Sequence, residues 1–228
     1  MTSKCYATIY RYNVSIMNGV TGNAVFAVVL AAGSASRFGS AKQLAKAQGL
    51  PLVKRVVDAA CGACGRSVAV VIGHEWRAVS NACMPFHGFL IVNEKFATGM
   101  GSSIAAAVRR LRHAADAVII MLADQPLVTA AHIRALIDTW SGAADEIVVT
   151  AFADTYGPPV LFPRACFAEL AELQGDSGGR QLLNDPRFVV RKVRFENAAV
   201  DVDSPADLDV AVASGMFLDH RGTQRSEP

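Results

Sequence analysis

The sequence predicts an α/β fold in which a mainly parallel sheet is covered by helices on both faces. Short β-branched and apolar runs alternate along the chain with amphipathic stretches, the pattern that a parallel sheet with covering helices produces. The chain has 228 residues, 52% of them hydrophobic, which is enough for one large domain with a buried core. We therefore expect a single domain over residues 23–214, with an extension at 1–22 and a tail at 215–228.

The predicted strands are short apolar runs that end in turn residues. They cover residues 26–30, 68–72, 89–92, 117–122, 147–150, 159–162, 188–193 and 199–202. The run at 117–122 is the most apolar, so we place it at the centre of the sheet. The segment 151–197 is the least regular part of the domain.

The predicted helices have apolar residues at helical spacing. They cover residues 51–60, 75–82, 102–111, 130–140 and 205–213. Pro51 suits the first position of its helix, because the missing N–H has no helical partner there. Ser102 and Thr129 are residue types that cap helices, so we expect them at the starts of the third and fourth helices.

Charge is distributed unevenly along the chain. The total is nearly balanced, with 22 Lys and Arg against 20 Asp and Glu, but residues 1–113 carry 13 basic and only three acidic side chains. Residues 114–228 carry nine basic and 17 acidic side chains. We therefore expect an anionic ligand to contact the first half of the chain and metal ligands to come from the second.

Composition also argues against several classes of protein. The longest unbroken apolar run, at 24–32, has nine residues, whereas a membrane-spanning helix needs about 20. The N-terminal residues lack the apolar core and cleavage site of a secretory signal, and five cysteines, an odd number, do not suggest a disulfide framework. The sequence has no basic stripe with interleaved aromatic residues, the pattern that would indicate nucleic-acid binding. We expect a cytoplasmic protein with neither a membrane nor a nucleic acid as partner.

The strongest motif is the loop that follows the first predicted strand, L-A-A-G-S-A-S-R-F-G-S-A-K over residues 30–42. Small residues let successive backbone N–H groups point at phosphate oxygens, while Arg37 offers a bidentate fork and Lys42 a compact charge. The spacing differs from a Walker loop, because five residues separate Gly33 from Gly39 and Lys42 lies three positions after the second glycine. Ala35 stands where a dinucleotide-binding fingerprint has its second glycine.

The pattern L-A-A-G-x-x-x-R-F-G-x-x-K resembles the signature of nucleotidyltransferases that act on molybdenum cofactor. The resemblance extends over residues 24–213 and implies a Rossmann-like three-layer α/β/α nucleotidyltransferase fold. It also implies that the loop holds a nucleoside triphosphate, with Arg37 and Lys42 on its phosphates. The nucleotide-binding residues that it implies are Leu30, Ala31, Ala32, Gly33, Ser34, Arg37, Lys42, Asn93, Gly101 and Ser102.

Asp124 is the candidate catalytic carboxylate. It follows the most apolar strand, and a carboxylate at that end of a central strand projects into the crevice where open α/β sheets bind ligands. The segment around it, M-L-A-D-Q-P, resembles the family's Asp-x-Pro segment, whose Asp binds the catalytic Mg²⁺. The alternative is an aspartate that caps the next helix, but Thr129 is better placed for that role.

The second candidate metal ligand lies near the end of the domain. The segment V-D-V-D-S-P-A-D at residues 200–207 resembles the family's Asp-x-Asp-Thr-Pro-x-Asp. A strand here would place Asp201 and Asp203 on the same face, and we choose Asp203 as the second Mg²⁺ ligand with Asp201 in reserve. Asp207 falls in the first turns of the following helix, where we expect a structural role.

Further segments resemble the family's base and acceptor sites. The family uses a loop such as residues 98–103 near the base and ribose. G-D-S-G-G-R at 175–180 resembles the Gly-Asp-x-Gly-x-Arg segment of the cytidylyltransferase-like branch, which implies an acceptor-side role for Asp176 and Arg180. Pro158 stands where the molybdenum cofactor enzymes commonly have a histidine, a departure that concerns the acceptor.

The resemblance implies a Mg²⁺-dependent nucleotidyltransferase. In the expected reaction, the terminal phosphate of molybdopterin attacks the α-phosphorus of the triphosphate and releases pyrophosphate. CTP is preferred because Leu-Ala-Ala-Gly is similar to the cytidylyltransferase branch, while guanylyltransferases tend to show Leu-Ala-Gly-Gly. GTP or ATP as the nucleotide donor, and another phosphorylated small molecule as the acceptor, remain open alternatives. The resemblance also implies a molybdoenzyme of the xanthine dehydrogenase type as a partner.

Two other classes of function remain as alternatives. One is a non-catalytic chaperone that binds nucleotide or cofactor for a molybdoenzyme. The combination of Arg37, Lys42, Asp124 and Asp203 favours catalysis over it, because a pure binder has no need for both carboxylates. The other is a dinucleotide-dependent oxidoreductase, which would bind NAD(P) at the first loop.

Overall fold

The computed structural model describes residues 23–33, 41–202, 204–214 and 216. Its strands are β1 (Val25–Ala31), β2 (Lys46–Ala47), β3 (Leu50–Pro51), β4 (Val68–Ile72), β5 (Phe89–Val92), β6 (Ala117–Leu122), β7 (Glu146–Phe152), β8 (Thr155–Pro163) and β9 (Val189–Arg194). Its α-helices are α1 (Leu52–Cys64), α2 (Trp76–Cys83), α3 (Met100–Leu111), α4 (Ala130–Thr139), α5 (Phe167–Ala171) and α6 (Pro205–Ala213). These elements lie within the predicted domain, whose limits at 23 and 214 stay a prediction.

Within the described residues, the central sheet has seven strands in the order β5-β4-β1-β6-β8-β7-β9. All of them run in the same direction except β8, which pairs antiparallel with both β6 and β7. The most apolar strand, β6, lies in the middle, as predicted. The mainly parallel sheet is therefore confirmed, with one reversed strand inside it. The short strands β2 and β3 form a separate antiparallel pair.

Helices cover both faces of the sheet and make three layers. Alternate residues of β1 point to opposite faces, so Phe26 and Val28 pack against α3 and α5, while Ala27 and Val29 pack against α1, α2 and α4. The side chains of β1 between these layers have almost no solvent exposure. This burial on both faces explains why the inner strands read as continuous apolar runs.

A third apolar cluster holds the end of the domain against the sheet. Val202 and Leu208 pack with Leu52 and Leu127, so α6 and the segment before it rest on the start of α1 and on the loop after β6. Ser204 and Asp207 form a capping box at the start of α6, which confirms the structural role expected for Asp207.

Three local predictions were wrong. Pro51 is not the first residue of its helix, because α1 begins at Leu52 and Pro51 ends β3. Residues 199–202 are not a strand, because a 3-10 helix covers Glu196–Ala199 and the N–H of Val202 donates to the carbonyl oxygen of Asp124 instead of to a neighbouring strand. Ser102 does not cap α3, since the helix already begins at Met100 and the Ser102 hydroxyl bonds inside the first turn. Thr129 does cap α4, as predicted, by accepting from the backbone N–H of His132.

No helix in the described part of the chain combines the length and the apolar character that crossing a bilayer requires.

The start of α3 is packed closely against the loop before residue 177. The N–H of Gly101 donates to the carbonyl oxygen of Gly175 at 2.8 Å. Gly99 has a φ of 108°, and a methyl group at this position would lie 2.3 Å from the carbonyl carbon of Gly175. Only glycine fits both the backbone angle and the contact, so the first turn of α3 and the Gly175 loop form one unit.

His132 is buried between α4 and the sheet. Its ring stacks on Phe195 with centroids 4.3 Å apart, and Nε2 lies 2.8 Å from the hydroxyl oxygen of Thr150. That hydroxyl donates to the carbonyl oxygen of Pro159, so its oxygen accepts a hydrogen bond from the Nε2–H group of the neutral ring. Burial lowers the pKa of His132 to about 4.

We expect Gly99→Ala to lower the free energy of unfolding by at least about 2 kcal/mol, because it adds backbone strain to a steric clash. Urea unfolding measures the change. Gly157→Ala is the matched control, since its methyl group would meet only the Phe152 ring at an ordinary 3.5 Å. Equal stability of the two variants would contradict the close packing of α3 on Gly175.

We expect the neutral ring of His132 to stabilise the fold fully above pH 6.5 and less as the pH falls towards about 4. In that range the unfolded histidine binds a proton and the folded one does not. His132→Gln removes this titration, so its stability should depend less on pH, by up to about 1.4 kcal/mol per pH unit. Urea unfolding at several pH values measures the difference. His113→Gln, at an exposed histidine, is the control, and identical curves for His132→Gln and the parent would refute the expectation.

Candidate active site at the carboxyl edge of the sheet

A cleft of about 420 Å³ opens where β1 and β6 end. These strands are parallel neighbours, with Leu30 paired to Leu122, so the segments that follow them emerge side by side. The cleft walls also include the turn at Lys42 and the start of α3. Open α/β sheets bind ligands at this edge, and the structure forms a cleft there.

Lys42 and Asp124 meet in this cleft. Nζ of Lys42 lies 2.8 Å from Oδ2 of Asp124, and both side chains are largely shielded from solvent. The other carboxylate oxygen, Oδ1, is buried and has no hydrogen-bond partner among the described residues. Because such an oxygen is costly to bury alone, it suits a ligand that brings a cation or a donor. The pair thus offers a cation for phosphate and a carboxylate oxygen for a metal ion.

Gln43 fixes the beginning of the glycine-rich loop. Its buried side-chain amide donates two hydrogen bonds of 3.1 Å, to the carbonyl oxygens of Ala31 and Gly33. These bonds hold the end of β1 beside the turn that carries Lys42. The sequence reasoning missed Gln43, although a carboxamide directly after the loop's lysine was a usable signal.

The second acidic segment reaches the same edge through backbone contacts. The N–H of Val202 donates to the carbonyl oxygen of Asp124 at 3.1 Å, and the side-chain amide of Gln125 donates to the carbonyl oxygen of Ala198. Asp201 is therefore adjacent in sequence to a residue bonded to Asp124. Asp203, the predicted metal ligand, lies outside the described residues. Among those that are described, no three Asp, Glu, His or Cys side chains form a metal-binding group.

The segment from Asn93 to the start of α3 supports the cleft from behind. The side-chain amide of Asn93 donates to the hydroxyl oxygens of Ser102 and Ser103, at 2.8 and 3.0 Å. Gly99, Met100 and Ser103 line the cleft. The structure therefore gives Asn93 and Ser102 a role in holding α3, and their direct contact with a nucleotide stays a prediction.

A second cavity of about 350 Å³ adjoins the first. The two share Met100, Leu122 and Asp176 in their walls. The second is lined largely by apolar and aromatic side chains of β6, β8 and α3, and Arg180 contributes a positive charge. Pro158, at the position that departs from the family pattern, also lines this cavity. The predicted acceptor residues Asp176 and Arg180 are thus brought together in one wall.

The structure groups the other predicted residues as follows. The first cleft is lined by Leu30, Ala31, Ala32, Gly33, Lys42, Asp124 and Asp176. Ser34, Arg37 and Asp203 lie outside the described residues. Sequence reasoning also missed Phe96, which lines the cleft together with Met100 of the expected 98–103 loop; an aromatic residue in an otherwise polar loop was the available signal for Phe96.

Comparison with known proteins identifies relatives along most of the chain. Residues 27–192 match the model of the MobA-like NTP transferase domain. Rv0371c of Mycobacterium tuberculosis H37Rv is 31% identical, and its crystal structure matches with a TM-score of 0.73 over 85% of this chain and 100% of that one. The structure of Rv0371c in complex with manganese matches with a TM-score of 0.71 at 30% identity, over 84% of this chain and 100% of that one.

Two further relatives are more distant. Purine catabolism protein PucB of Bacillus subtilis strain 168 is 28% identical over 194 residues, which span 80% of this chain and 93% of PucB. Molybdopterin-guanine dinucleotide biosynthesis protein A from Archaeoglobus fulgidus is 20% identical, with a TM-score of 0.62 over 83% of this chain and 97% of that one, and this likeness shows the fold alone.

These matches confirm the family resemblance and the Rossmann-like three-layer fold. The family's substrate is a nucleoside triphosphate, in agreement with the cleft at the glycine-rich loop. The chain belongs to the MobA-like NTP transferase family and is a nucleotidyltransferase.

Proposed function

We propose that the enzyme transfers CMP from CTP to the terminal phosphate of molybdopterin, with Mg²⁺ as cofactor and release of pyrophosphate. The observation that carries this proposal is the pair of adjoining cavities with a shared wall at Met100, Leu122 and Asp176. The first cavity contains Lys42 and Asp124, which suit a triphosphate with its metal. The second combines an apolar lining with Arg180, which suits a flat ring system that carries a phosphate.

The proposed reaction needs no activated protein nucleophile. An oxygen of the acceptor phosphate forms a bond to the α-phosphorus, while the bond from that phosphorus to the bridging oxygen of the β-phosphate breaks. The acceptor oxygen is already anionic, so catalysis consists of placing the two substrates and neutralising charge on the transferring group. Arg37 and Lys42 hold the triphosphate in this scheme. Asp176 and Arg180 position the acceptor.

The residues present fit a divalent cation. Oδ1 of Asp124 is a buried oxygen without a partner among the described residues, and carboxylate oxygens are the ligands that Mg²⁺ prefers. Asp124 and Asp203 would hold the ion, with Asp201 in reserve. When bound, Mg²⁺ neutralises charge on the triphosphate oxygens. The manganese complex of Rv0371c supports a divalent metal in this family.

CTP is proposed over GTP because the loop carries Ala32 in the pattern of the cytidylyltransferase branch. For the product, we propose delivery to a molybdoenzyme of the xanthine dehydrogenase type. The name of PucB, a purine catabolism protein, agrees with such a partner, since xanthine is a purine. A cytoplasmic location agrees with the cysteines, because Cys61, Cys64, Cys83 and Cys166 are all free.

We expect Asp124→Asn to lower the rate of pyrophosphate release by at least about a hundredfold at saturating Mg²⁺, because it removes the carboxylate charge at the proposed metal site. Circular dichroism and urea unfolding check that the fold is retained. Asp138→Asn, at an exposed position on α4, is the matched control and should keep normal turnover. Near-normal turnover of Asp124→Asn would refute the proposed role of this residue.

We expect pyrophosphate release from CTP in the presence of extracted molybdopterin and little release from GTP, ATP or UTP. Arg180→Ala should raise the KM for molybdopterin and leave the KM for CTP unchanged, because Arg180 lines only the second of the two cavities. A preference for another triphosphate would correct the choice of nucleotide. Tight CTP binding without release of pyrophosphate under any condition would favour the cofactor-binding chaperone instead.

A further inference from the structure

We propose that Phe96, backed by His74, forms the surface on which the nucleobase of the bound substrate stacks. The inference rests on the proposed nucleotidyl transfer, because it takes the first cleft as the site of the triphosphate. Phe96 lines this cleft and lies half-buried in the short 3-10 helix Phe96–Thr98. Its side chain packs partly against the core beside α3, but no motif in the sequence and no proposed catalytic role requires an aromatic ring at this place.

The order of strands separates the charged end of the cleft from the aromatic end. Asp124 follows β6, Gly33 follows β1, His74 follows β4 and Phe96 follows β5, and these strands are consecutive neighbours in the sheet. Adjacent strands lie about 4.8 Å apart, so the ends of β6 and β5 are roughly 14 Å from each other. A nucleoside triphosphate is arranged in the same way as the cleft, with charged phosphates at one end and a flat base at the other.

The backbone of Phe96 is held in place by its surroundings. A methyl group at Gly73 would lie 2.5 Å from Cβ of Phe96, so these two residues are in direct contact. The backbone N–H of Phe96 donates to the carbonyl oxygen of Asn93, and its own carbonyl oxygen accepts from the N–H of Gly99, both at 3.3 Å. A backbone that is fixed before the ligand arrives leaves only the side chain to be ordered on binding, which keeps the entropic cost small.

His74 supports Phe96 and links it to the phosphate loop. The two rings are tilted by 49° with centroids 6.0 Å apart, within the range of favourable aromatic pairs. The backbone N–H of His74 donates to the carbonyl oxygen of Ala32, the residue before Gly33. This hydrogen bond fixes the position of the aromatic pair relative to the start of the proposed phosphate-binding loop. The proposed base and phosphate sites are therefore held at a constant distance from each other.

Phe96 contributes affinity for a base without choosing among bases. Every nucleobase has a π-face, and stacking on an aromatic side chain is tolerant of base identity. The choice between CTP and GTP then depends on other residues of the cleft. Phe96 therefore has a role separate from that of Ala32, the residue whose pattern favours CTP.

The test compares two ligands in the full-length protein by calorimetry: CTP with Mg²⁺, and inorganic tripolyphosphate with Mg²⁺. Phe96→Leu keeps an apolar side chain but removes the ring, and we expect it to weaken CTP binding about tenfold. Tripolyphosphate has no base, so its affinity should stay unchanged. Phe96→Tyr should restore CTP binding, because it returns an aromatic face.

Phe188→Leu is the matched control, since it removes a phenylalanine that packs beside Arg187. Equal CTP affinity of Phe96→Leu and Phe188→Leu would overturn the stacking role and leave nucleotidyl transfer intact. Equal weakening of both ligands by Phe96→Leu would also overturn it, because Phe96 would then act by maintaining the shape of the cleft. If the unaltered protein bound neither ligand, the proposed function would fail and the stacking role with it.

Discussion

The ion pair between Lys42 and Asp124 is the interaction on which the active-site arrangement depends. It joins the turn after the glycine-rich loop to the end of β6, and its two charges compensate each other in a shielded place. Removing one partner would leave the other charge largely shielded and uncompensated, which is destabilising. The pairing is possible because β1 and β6 are neighbours, and the N–H of Ala123 extends their contact by donating to the carbonyl oxygen of Leu30.

The same pair explains how the cleft can receive a highly charged substrate. In the proposed complex, Lys42 would exchange its carboxylate partner for phosphate, and Asp124 would hold a metal ion through Oδ1, the oxygen that Lys42 does not contact. The charges of the two side chains therefore balance each other before the substrate binds. Binding needs no rearrangement of the core. Gln43 keeps the strand end and the Lys42 turn together during this exchange, because it bonds the backbone on either side of Ala32.

The second cavity depends on the one strand that reverses direction. β8 lies antiparallel between β6 and β7 and carries Tyr156, Val160 and Phe162 into the cavity wall. A parallel strand in the place of β8 would run in the opposite direction and would present other side chains beside the end of β6. The reversal thus places an apolar surface next to the first cleft, where the proposed acceptor, which has a ring system, would meet the α-phosphate.

Strands and helices with strong local patterns could be predicted from the sequence. β4, β5, β6 and α6 begin and end at the predicted residues, because apolar runs between turn residues, or a proline after a capping serine, define them locally. The segment 199–202 could not be predicted, since its conformation depends on the distant backbone of Asp124. The position of β8 in the sheet also has no local signal.

The candidate site was predictable only where motifs mark it. The phosphate loop and Asp124 carry clear patterns, and the structure brings Lys42 and Asp124 together. The side chain of Asn93 bonds Ser102 and Ser103, a role that has no signal in the sequence, and its contact with a nucleotide stays a prediction. Gln43 and Phe96 were missed because their roles come from contacts with residues on other strands, which spacing along the chain does not reveal.

The most direct test of the account is a crystal structure with CTP and Mn²⁺, in which anomalous scattering locates the metal. We predict that the ion binds Oδ1 of Asp124, with the triphosphate between Gly33 and Lys42. A metal and triphosphate bound away from the ends of β1 and β6 would contradict the central claim that this edge of the sheet is the catalytic centre.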